Sequence, residues 1–208
     1  MNAVSKVDAD FAVAAAHRCL HGGRDFMRLA ALVLWGVLLA APGVRAQGSR
    51  ATEYQVKAAY MYNFALFVSW PEIAKSSSGP FGVCVLGEDP FGSILDSTFA
   101  GETLDGRSVF VERVANAGEA RPCRILFISR SETKDLKTIL SALNNAEVLT
   151  VSDIPDFSRR GGMIQFVWKG DSVRFEVNLA AAKSVGLVLS SDLLKVAAAV
   201  RTKTVSGS

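Results

Sequence analysis

The chain has 208 residues, with 23 basic and 20 acidic side chains and a formal net charge of +3 at pH 7. Five of the basic and three of the acidic side chains lie within the first 46 residues, so residues 47–208 carry a net charge of +1. This balance gives no reason to predict a nucleic-acid-binding protein. Residues 47–208 suffice for one domain with a full core, and the sequence shows no internal repeat.

Residues 27–46 are organised as a secretory signal peptide. An unbroken apolar run over residues 29–41 follows the positively charged start at Met27-Arg28. Pro42-Gly43 interrupts this run, and the residues up to Ala46 fit a small-residue cleavage site. The run is too short to cross a bilayer, which needs roughly 20 apolar residues. We therefore predict a soluble protein exported to the periplasm, with cleavage after Ala46.

The segment before this signal, residues 1–26, is unlike the positively charged start of a signal peptide because it carries Asp8, Asp10 and Asp25. We interpret it as a non-native extension that comes from an upstream start codon. No cysteine stands at the cleavage site, so a lipid anchor through cysteine is not expected. The alternative to export is a cytosolic protein in which residues 29–41 form a short buried helix.

Export leaves two cysteines, Cys84 and Cys123, because Cys19 lies in the removed segment. Each belongs to an apolar run that predicts a strand, and we predict a disulfide between them, as is usual for an oxidising compartment. Closing the 39-residue separation would stabilise the fold by roughly 4 kcal/mol in the chain-entropy model. The alternative is a pair of buried free thiols; the Cys-x-x-Cys spacing of a redox-active pair is absent.

The first predicted helix begins at Thr52, which has capping-box spacing with Gln55. Trp70-Pro71 ends it, because the residue before a proline avoids the helical region. Aromatic residues on this helix favour packing in the core, and a groove for a partner is the alternative. The apolar residues at helical spacing are Val56, Tyr60, Phe64 and Phe67, and this face is widened by Ala59, Met61 and Val68.

Strands and helices then alternate to the end of the chain. This alternation predicts an α/β fold: a single layered domain over residues 47–208 with a central mixed sheet of about six strands flanked by helices. The sheet should be largely parallel, with an antiparallel hairpin at one edge. Strands are predicted at 81–86, 107–113, 123–129, 147–151, 163–169 and 172–178. Helices are predicted at 91–99, 131–144, 179–185 and 191–200, followed by a polar tail, 201–208.

Residues 47–208 contain no histidine, which excludes Ser-His-Asp and Cys-His catalysis and a histidine-ligated zinc. Phosphate-binding and dinucleotide-binding glycine motifs are absent as well. The acidic pairs Asp153/Asp156 and Glu88/Asp89 lie at turns, where carboxylates serve turns and caps, and we interpret Arg159-Arg160 as a solvated turn. We predict that the protein is not an enzyme and needs no metal or cofactor. Catalysis by carboxylates alone is the remaining enzymatic alternative.

At several separate motifs the sequence resembles the YfiR family of periplasmic regulators, over nearly the whole stretch from about Glu53 to Val200. The matching motifs are VKAAYMYNFALFVSWP at 56–71, CVLG at 84–87, PFG at 90–92, CRILFIS at 123–129, VLTVSD at 148–153, GGMI at 161–164 and RFEVNL at 174–179.

This resemblance implies a non-enzymatic α/β homodimer that binds the periplasmic domain of an inner-membrane diguanylate cyclase and inhibits it. Cyclic di-GMP, and with it biofilm formation, would then stay low. An outer-membrane lipoprotein of the OmpA type would sequester this repressor and release the cyclase. The family disulfide corresponds to Cys84 and Cys123, whereas the second cysteine pair of the best-known family member, in the region before and around Gly161-Gly162, has no counterpart here. The resemblance therefore gives no basis for predicting redox control.

We predict the partner-binding surface at Phe157, Phe166 and Trp168. Phe166 and Trp168 share one face of the predicted edge hairpin, and Phe157 lies just before it. Packing of these three rings in the core is the alternative. A near-neutral charge indicates that binding would rest on apolar contact more than on electrostatic steering. The alternative function is a periplasmic ligand-binding input protein for a membrane sensor kinase.

Overall fold

The structure, a computed structural model, describes residues 44–70 and 79–203, with side chains from Thr52 on. The predicted upstream extension 1–26, most of the predicted signal peptide 27–46 and the end of the polar tail, 204–208, lie outside the described residues. The chain divides into two compact units, Met1–Gln47 and Gly48–Ser208. The fold described below is that of the second unit.

The described residues form five α-helices, one 3-10 helix and ten strands. Among them no helix has the length and apolar character needed to cross a membrane. The helices are α1 Val44–Phe67, α2 Ser93–Phe99, the 3-10 helix Arg130–Thr133, α3 Leu136–Ala142, α4 Leu179–Ser184 and α5 Ser191–Val196. The strands are β1 Val68–Ser69, β2 Phe81–Leu86, β3 Thr103–Leu104, β4 Arg107–Val114, β5 Cys123–Ile128, β6 Leu149–Ser152, β7 Ile164–Lys169, β8 Ser172–Asn178, β9 Val188–Leu189 and β10 Ala199–Arg201.

The main sheet has eight strands in the order β10-β8-β7-β6-β5-β2-β4-β3, and β1 pairs with β9 in a separate small sheet. Its five central strands are parallel: β4, β2, β5, β6 and β7. The chain starts this parallel part at β2, adds β4 on one side, and then returns to add β5, β6 and β7 on the other. The direction of winding therefore reverses between β2 and β5.

Strand β2 is apolar throughout because both faces of the sheet are covered at this strand. In β2, Val83 and Val85 belong to the core on one face, and Cys84 and Leu86 belong to the core on the other. All six residues of β2 are buried. This double burial explains why the sequence shows a continuous apolar run there rather than an alternating pattern.

Helix α1 packs against one face of the sheet through its aromatic side chains. The ring of Phe64 is fully buried and lies 5.9 Å from the ring of Phe166 and 5.1 Å from that of Phe175. Tyr60 joins the same cluster, 5.4 Å from Phe175. Burying a side chain of this size contributes roughly 1.5–3 kcal/mol. The helix is thus held on strands β7 and β8 by ring contacts.

The mixed α/β fold is confirmed, although the main sheet has eight strands where about six were predicted. The additional members are the two-residue β3 and the three-residue β10. The predicted last helix through Val200 is wrong at its end, because α5 stops at Val196 and residues 199–201 pair with β8. Strand β10 therefore covers β8, and the hairpin lies one strand in from the edge.

Two helix boundaries also differ from the prediction. Helix α1 begins at Val44, so the capping box at Thr52 lies inside the helix and does not start it. The predicted helix over 131–144 is divided into the 3-10 turn and α3. Ser131 does not cap a helix; its hydroxyl accepts a hydrogen bond from the Glu88 amide at 3.0 Å. A local pattern cannot reveal this competing bond, because its partner lies 43 residues away.

Candidate functional site

Cys84 and Cys123 form a disulfide, as predicted, with their Cα atoms 6.0 Å apart. Both residues are buried, at 0% and 2% exposure. They lie on the neighbouring strands β2 and β5, near the point where β5 begins. The bond therefore ties the two strands between which the winding of the sheet reverses.

The three predicted partner-binding residues lie in different environments. Phe157 is fully buried in the core on one face of the sheet, and Phe166, at 4% exposure, is buried in the core on the opposite face. Trp168 is 51% exposed near the tip of the β7–β8 hairpin. The structure does not bring the three rings together, and only Trp168 is available to a partner on the surface.

Phe157 has a structural role that its sequence position does not reveal. Its ring lies where a Cβ of Gly162 would be, so that only a glycine fits beneath it. The backbone amide of Gly162 also donates to the Phe157 carbonyl at 2.9 Å. The turn that contains Gly161-Gly162 is thus folded tightly against a buried ring.

Trp168 lines a surface groove between helix α1 and the β7–β8 hairpin, with a volume of about 420 Å³. We call it the Trp168 groove. Val56 of α1 is 39% exposed, so two apolar side chains on different elements are accessible at the groove. Exposed apolar groups in a concave surface are typical of protein-binding sites. Its lining residues are Thr52, Glu53, Val56, Trp168, Asp171, Ser172 and Val173.

A buried ionic cluster lies at the base of this same stretch of α1. Lys57 is 1% exposed, and its Nζ lies 2.5 Å from Glu53 Oε1 and 2.6 Å from Asp153 Oδ2. Tyr54 donates its hydroxyl to the same Asp153 oxygen at 3.0 Å. Asp153 comes directly after β6. The cluster therefore fixes one register of α1 on the carboxyl end of a central strand.

The remaining oxygen of Asp153 is the least well satisfied atom of the cluster. Arg130 Nε lies 3.2 Å from Asp153 Oδ1, but the approach does not have hydrogen-bond geometry, and this buried oxygen accepts no hydrogen bond among the described residues. Burial, followed by the Asp153 charge, raises the pKa of Tyr54. Both effects keep the Tyr54 proton in its bond to Asp153.

In the two candidate acidic pairs, Asp153, Asp156 and Asp89 are engaged in ion pairs. Asp156 is exposed and paired with Arg159, whereas Asp153 is buried and paired with Lys57. Asp89 accepts from the Phe91 amide at 2.8 Å and pairs with Arg113, as is typical of a turn carboxylate. The Arg113 guanidinium also binds Asp96 and holds the pKa of that carboxyl below its usual range.

Arg159 and Arg160, the other charged residues singled out in the sequence, lie on the surface. Arg159 pairs with Asp156 at 3.6 Å, and Arg160 donates to the Thr133 carbonyl at 3.0 Å. Nearby, Ser158 donates its backbone amide to Gln165 Oε1 at 3.0 Å. Hydrogen bonds across this short segment thus close the loop at Gly161-Gly162.

The sequence interpretation missed Lys57 and Asp153 as a pair. A signal was present, since Lys57 lies one helical turn before Met61, which is itself fully buried. A lysine on the buried stripe of a helix needs an acidic partner. The identity of that partner could not be deduced, because Asp153 lies 96 residues along the chain.

This α/β domain is tied by a disulfide and has an open groove on its surface. Its buried charges hold a helix in place. These are features of a binding protein. The chain belongs to the YfiR/HmsC-like family, because the family model DUF4154 matches residues 54–198. Membership in this regulatory, rather than catalytic, family supports a periplasmic regulator of cyclic di-GMP signalling. No curated protein matches the sequence significantly.

Two solved structures show weak similarity. A conserved domain protein from Vibrio cholerae O1 biovar El Tor is 10% identical with a TM-score of 0.46, covering 62% of this chain and 57% of that chain. An ABC domain in complex with L-Trp from Streptococcus pneumonia is 11% identical with a TM-score of 0.43, covering 58% of this chain and 55% of that chain. The chain spans little more than half the length of each, and similarities this weak do not indicate a function.

Proposed function

We propose that this protein is a periplasmic repressor that binds the periplasmic part of an inner-membrane diguanylate cyclase and holds that enzyme inactive. The observation that carries the proposal is the family match over residues 54–198. The Cys84–Cys123 disulfide supports export, because such bonds persist in oxidising compartments.

Repression would work through differential affinity. A protein that binds the inactive arrangement of the cyclase more tightly than the active one shifts the population towards the inactive state. Full repression needs a large difference: moving a two-state equilibrium from 1:99 to 99:1 takes about a 10⁴-fold preference. We propose the Trp168 groove as the contact, since it joins an accessible aromatic ring to an accessible aliphatic side chain.

The Trp168 groove also favours a particular kind of contact. Trp168 supplies a large rigid ring, the side chain that most often dominates the binding energy of an interface. Asp171 at the hairpin tip is exposed, and its carboxylate has no ion-pair partner among the described residues. A partner segment with an apolar side chain beside a basic one would match this surface.

The remaining partners follow from the same proposal. An OmpA-type outer-membrane lipoprotein would compete with the cyclase for the repressor, and the repressor itself would act as a homodimer. Competition requires that both partners cover overlapping surface. The cyclase and the lipoprotein would therefore share at least part of the Trp168 groove.

Deleting the gene tests the proposal. Cyclic di-GMP and surface-attached growth should rise in the deletion strain, because the cyclase would lose its inhibitor. Complementation with the full gene should restore the low level, whereas a version that lacks residues 27–46 should not, since it would stay in the cytosol. The measurements are the cellular cyclic di-GMP concentration and the mass of attached cells.

The alternative function gives the opposite pattern. If the protein is an input protein for a sensor kinase, deletion leaves cyclic di-GMP unchanged and abolishes the response of that kinase. Such a result would replace the repressor proposal.

A further inference from the structure

A second concave site lies at the carboxyl ends of β2 and β5, on the edge of the sheet where the direction of winding reverses. The loop after β2 supplies one wall, and the residues Ser129, Arg130 and Ser131 after β5 supply the facing wall. In open α/β sheets this is the position where ligands bind, because the two loops diverge and leave a crevice. The cleft has a volume of about 580 Å³, within the range of small-molecule sites.

We call this site the switch-point cleft. Hydrogen bonds between its two walls fix its shape. The Ser131 hydroxyl accepts from the Glu88 amide at 3.0 Å, and the Ser129 amide donates to the Leu86 carbonyl at 3.0 Å. Gly87 has a φ of +89°, and a Cβ there would collide with the Ser131 hydroxyl. A glycine is therefore required for the loops to approach so closely, and the cleft is preformed.

One side of the cleft is apolar. The ring of Tyr54 from α1 packs edge-on against the ring of Phe91, with centroids 5.1 Å apart. Pro90 and Ile94 extend this surface. The Tyr54 hydroxyl is engaged with Asp153, so the ring is fixed in place. These side chains can accommodate an aliphatic or aromatic group.

The cleft also presents two opposite charges whose hydrogen-bonding groups are not all occupied within the fold. The Arg130 side chain is 59% exposed, and its one ion pair, to Asp153, uses Nε and leaves its Nη groups without a partner among the described residues. The exposed Glu88 carboxylate has no hydrogen bond or ion pair in that part of the chain. Asp89, by contrast, is already bonded to Arg113 and to the Phe91 amide.

We propose that the switch-point cleft binds a small zwitterion with an apolar body, which is the chemistry of a free amino acid or a short peptide. Arg130 would bind the carboxylate and Glu88 the ammonium group, and the apolar side formed by Tyr54, Pro90 and Ile94 would bind the apolar side chain. A simple anion would meet the Glu88 charge, and a simple cation would meet the Arg130 charge. Only a molecule that carries both charges satisfies both groups. This binding goes beyond the repressor function and does not depend on it.

Isothermal titration of the purified, disulfide-bonded protein tests the proposal. The probes are L-phenylalanine and L-leucine, together with 3-phenylpropionate, which lacks the ammonium group, and phenethylamine, which lacks the carboxylate. L-Phenylalanine should bind at least tenfold more tightly than either analogue, because each loses one charge-assisted hydrogen-bonding group. The dipeptide Phe-Phe distinguishes the sources: tighter binding than L-phenylalanine indicates a peptide, and weaker binding a free amino acid.

Variants locate the binding. Glu88→Gln should weaken L-phenylalanine roughly tenfold or more and leave 3-phenylpropionate no weaker. Arg130→Gln should weaken L-phenylalanine to a similar degree, and Arg130→Lys should keep most of the affinity. The matched control is Glu112→Gln, an exposed glutamate on β4 outside the cleft, which should bind as the unaltered protein does.

Three results would overturn the proposal. One is the absence of heat with every probe at millimolar concentration, and another is equal affinity for L-phenylalanine and 3-phenylpropionate. The third is unchanged binding in Glu88→Gln. If Arg130→Gln does not fold, Glu88→Gln and Arg130→Lys still decide the result, since both leave a partner for the Asp153 oxygen.

Discussion

Among the charged residues that the structure describes, Lys57 and Asp153 are the ones that are almost completely removed from water. A buried ion pair adds little net stability compared with apolar residues of the same size, but removing one partner of a buried charge is destabilising. Here the pair has a definite structural task. It ties the middle of α1 to the end of β6, close to both the Trp168 groove and the switch-point cleft.

Replacing Asp153 tests this role. Asp153→Asn should lower the free energy of unfolding by about 1–3 kcal/mol, because Lys57 stays buried and keeps Glu53 as its one remaining carboxylate. The matched control is Asp192→Asn. It removes an ion pair between Lys195 and the Asp192 carboxylate, which is 72% exposed. That change should cost less than about 1 kcal/mol. Urea unfolding of both variants gives the comparison, and equal costs would mean that the cluster does not hold the helix.

Trp168 is the residue on which the proposed interface most depends. Trp168→Ala should leave the fold intact, because about half of the side chain is already exposed, and should abolish repression. Phe67→Ala is the control: Phe67 is an aromatic residue at 42% exposure that does not line the groove. The measurements are the thermal melting temperature and cellular cyclic di-GMP. Full repression by a folded Trp168→Ala protein would exclude the groove as the contact.

Among the elements, β2 and β5 have a special position because the disulfide joins them at the reversal of the sheet. The bond closes a loop of 39 residues that contains α2, β3 and β4. Without it, the unfolded chain gains freedom mainly in this segment. The strands at the reversal would lose the covalent cross-link between them and would be held side by side by backbone hydrogen bonds and packing.

Breaking this bond has a measurable cost. Cys84→Ser should lower the free energy of unfolding by roughly 2–5 kcal/mol, the usual effect of losing a native disulfide in a small secreted domain. Denaturant unfolding under non-reducing conditions measures the difference. A reducing agent should destabilise the unaltered protein by a similar amount and leave Cys84→Ser unaffected. A loss well below 1 kcal/mol would contradict the assignment.

Helix α1 shows which buried residues an apolar pattern can predict and which it cannot. Of the predicted apolar face, Met61 and Phe64 are buried, whereas Val56 and Phe67 are partly exposed. The buried side of the helix also includes Lys57. Pattern analysis excludes a charged residue from a core face, so it did not place Lys57 there. The ionic partner that permits burial of this lysine is a property of the tertiary structure.

For the whole molecule, the sequence predicted the α/β class and six of the strands, because long apolar runs specify strands that are buried on both faces. It could not predict β3, β10 or the β1–β9 pair. These strands are two or three residues long, too short to have a periodic pattern of their own. Their conformation is fixed by the neighbour to which they pair.

The candidate site was less predictable than the fold. Trp168, predicted from its place on a hairpin, is exposed, whereas Phe157 and Phe166 are buried in the two separate cores. An aromatic residue in a strand gives the same sequence signal whether it faces solvent or the interior. The groove and the cleft were not foreseen, because each combines side chains from segments far apart in the chain.

The short strands at the two ends of the main sheet have a consequence for how molecules can associate. Strand β3 has two residues and β10 has three. A long unpaired edge is a template on which further copies add strand by strand, and a very short edge is a common protection against such growth. In the described part of the chain, β3 pairs with only the first two residues of β4 and β10 with only the last three of β8, so the rest of β4 and of β8 lacks a strand partner on that side. On β4 the uncovered stretch carries Glu112 and Arg113, and charged side chains on an edge oppose the addition of further copies. A concentrated solution should therefore resist fibre formation because of these charges.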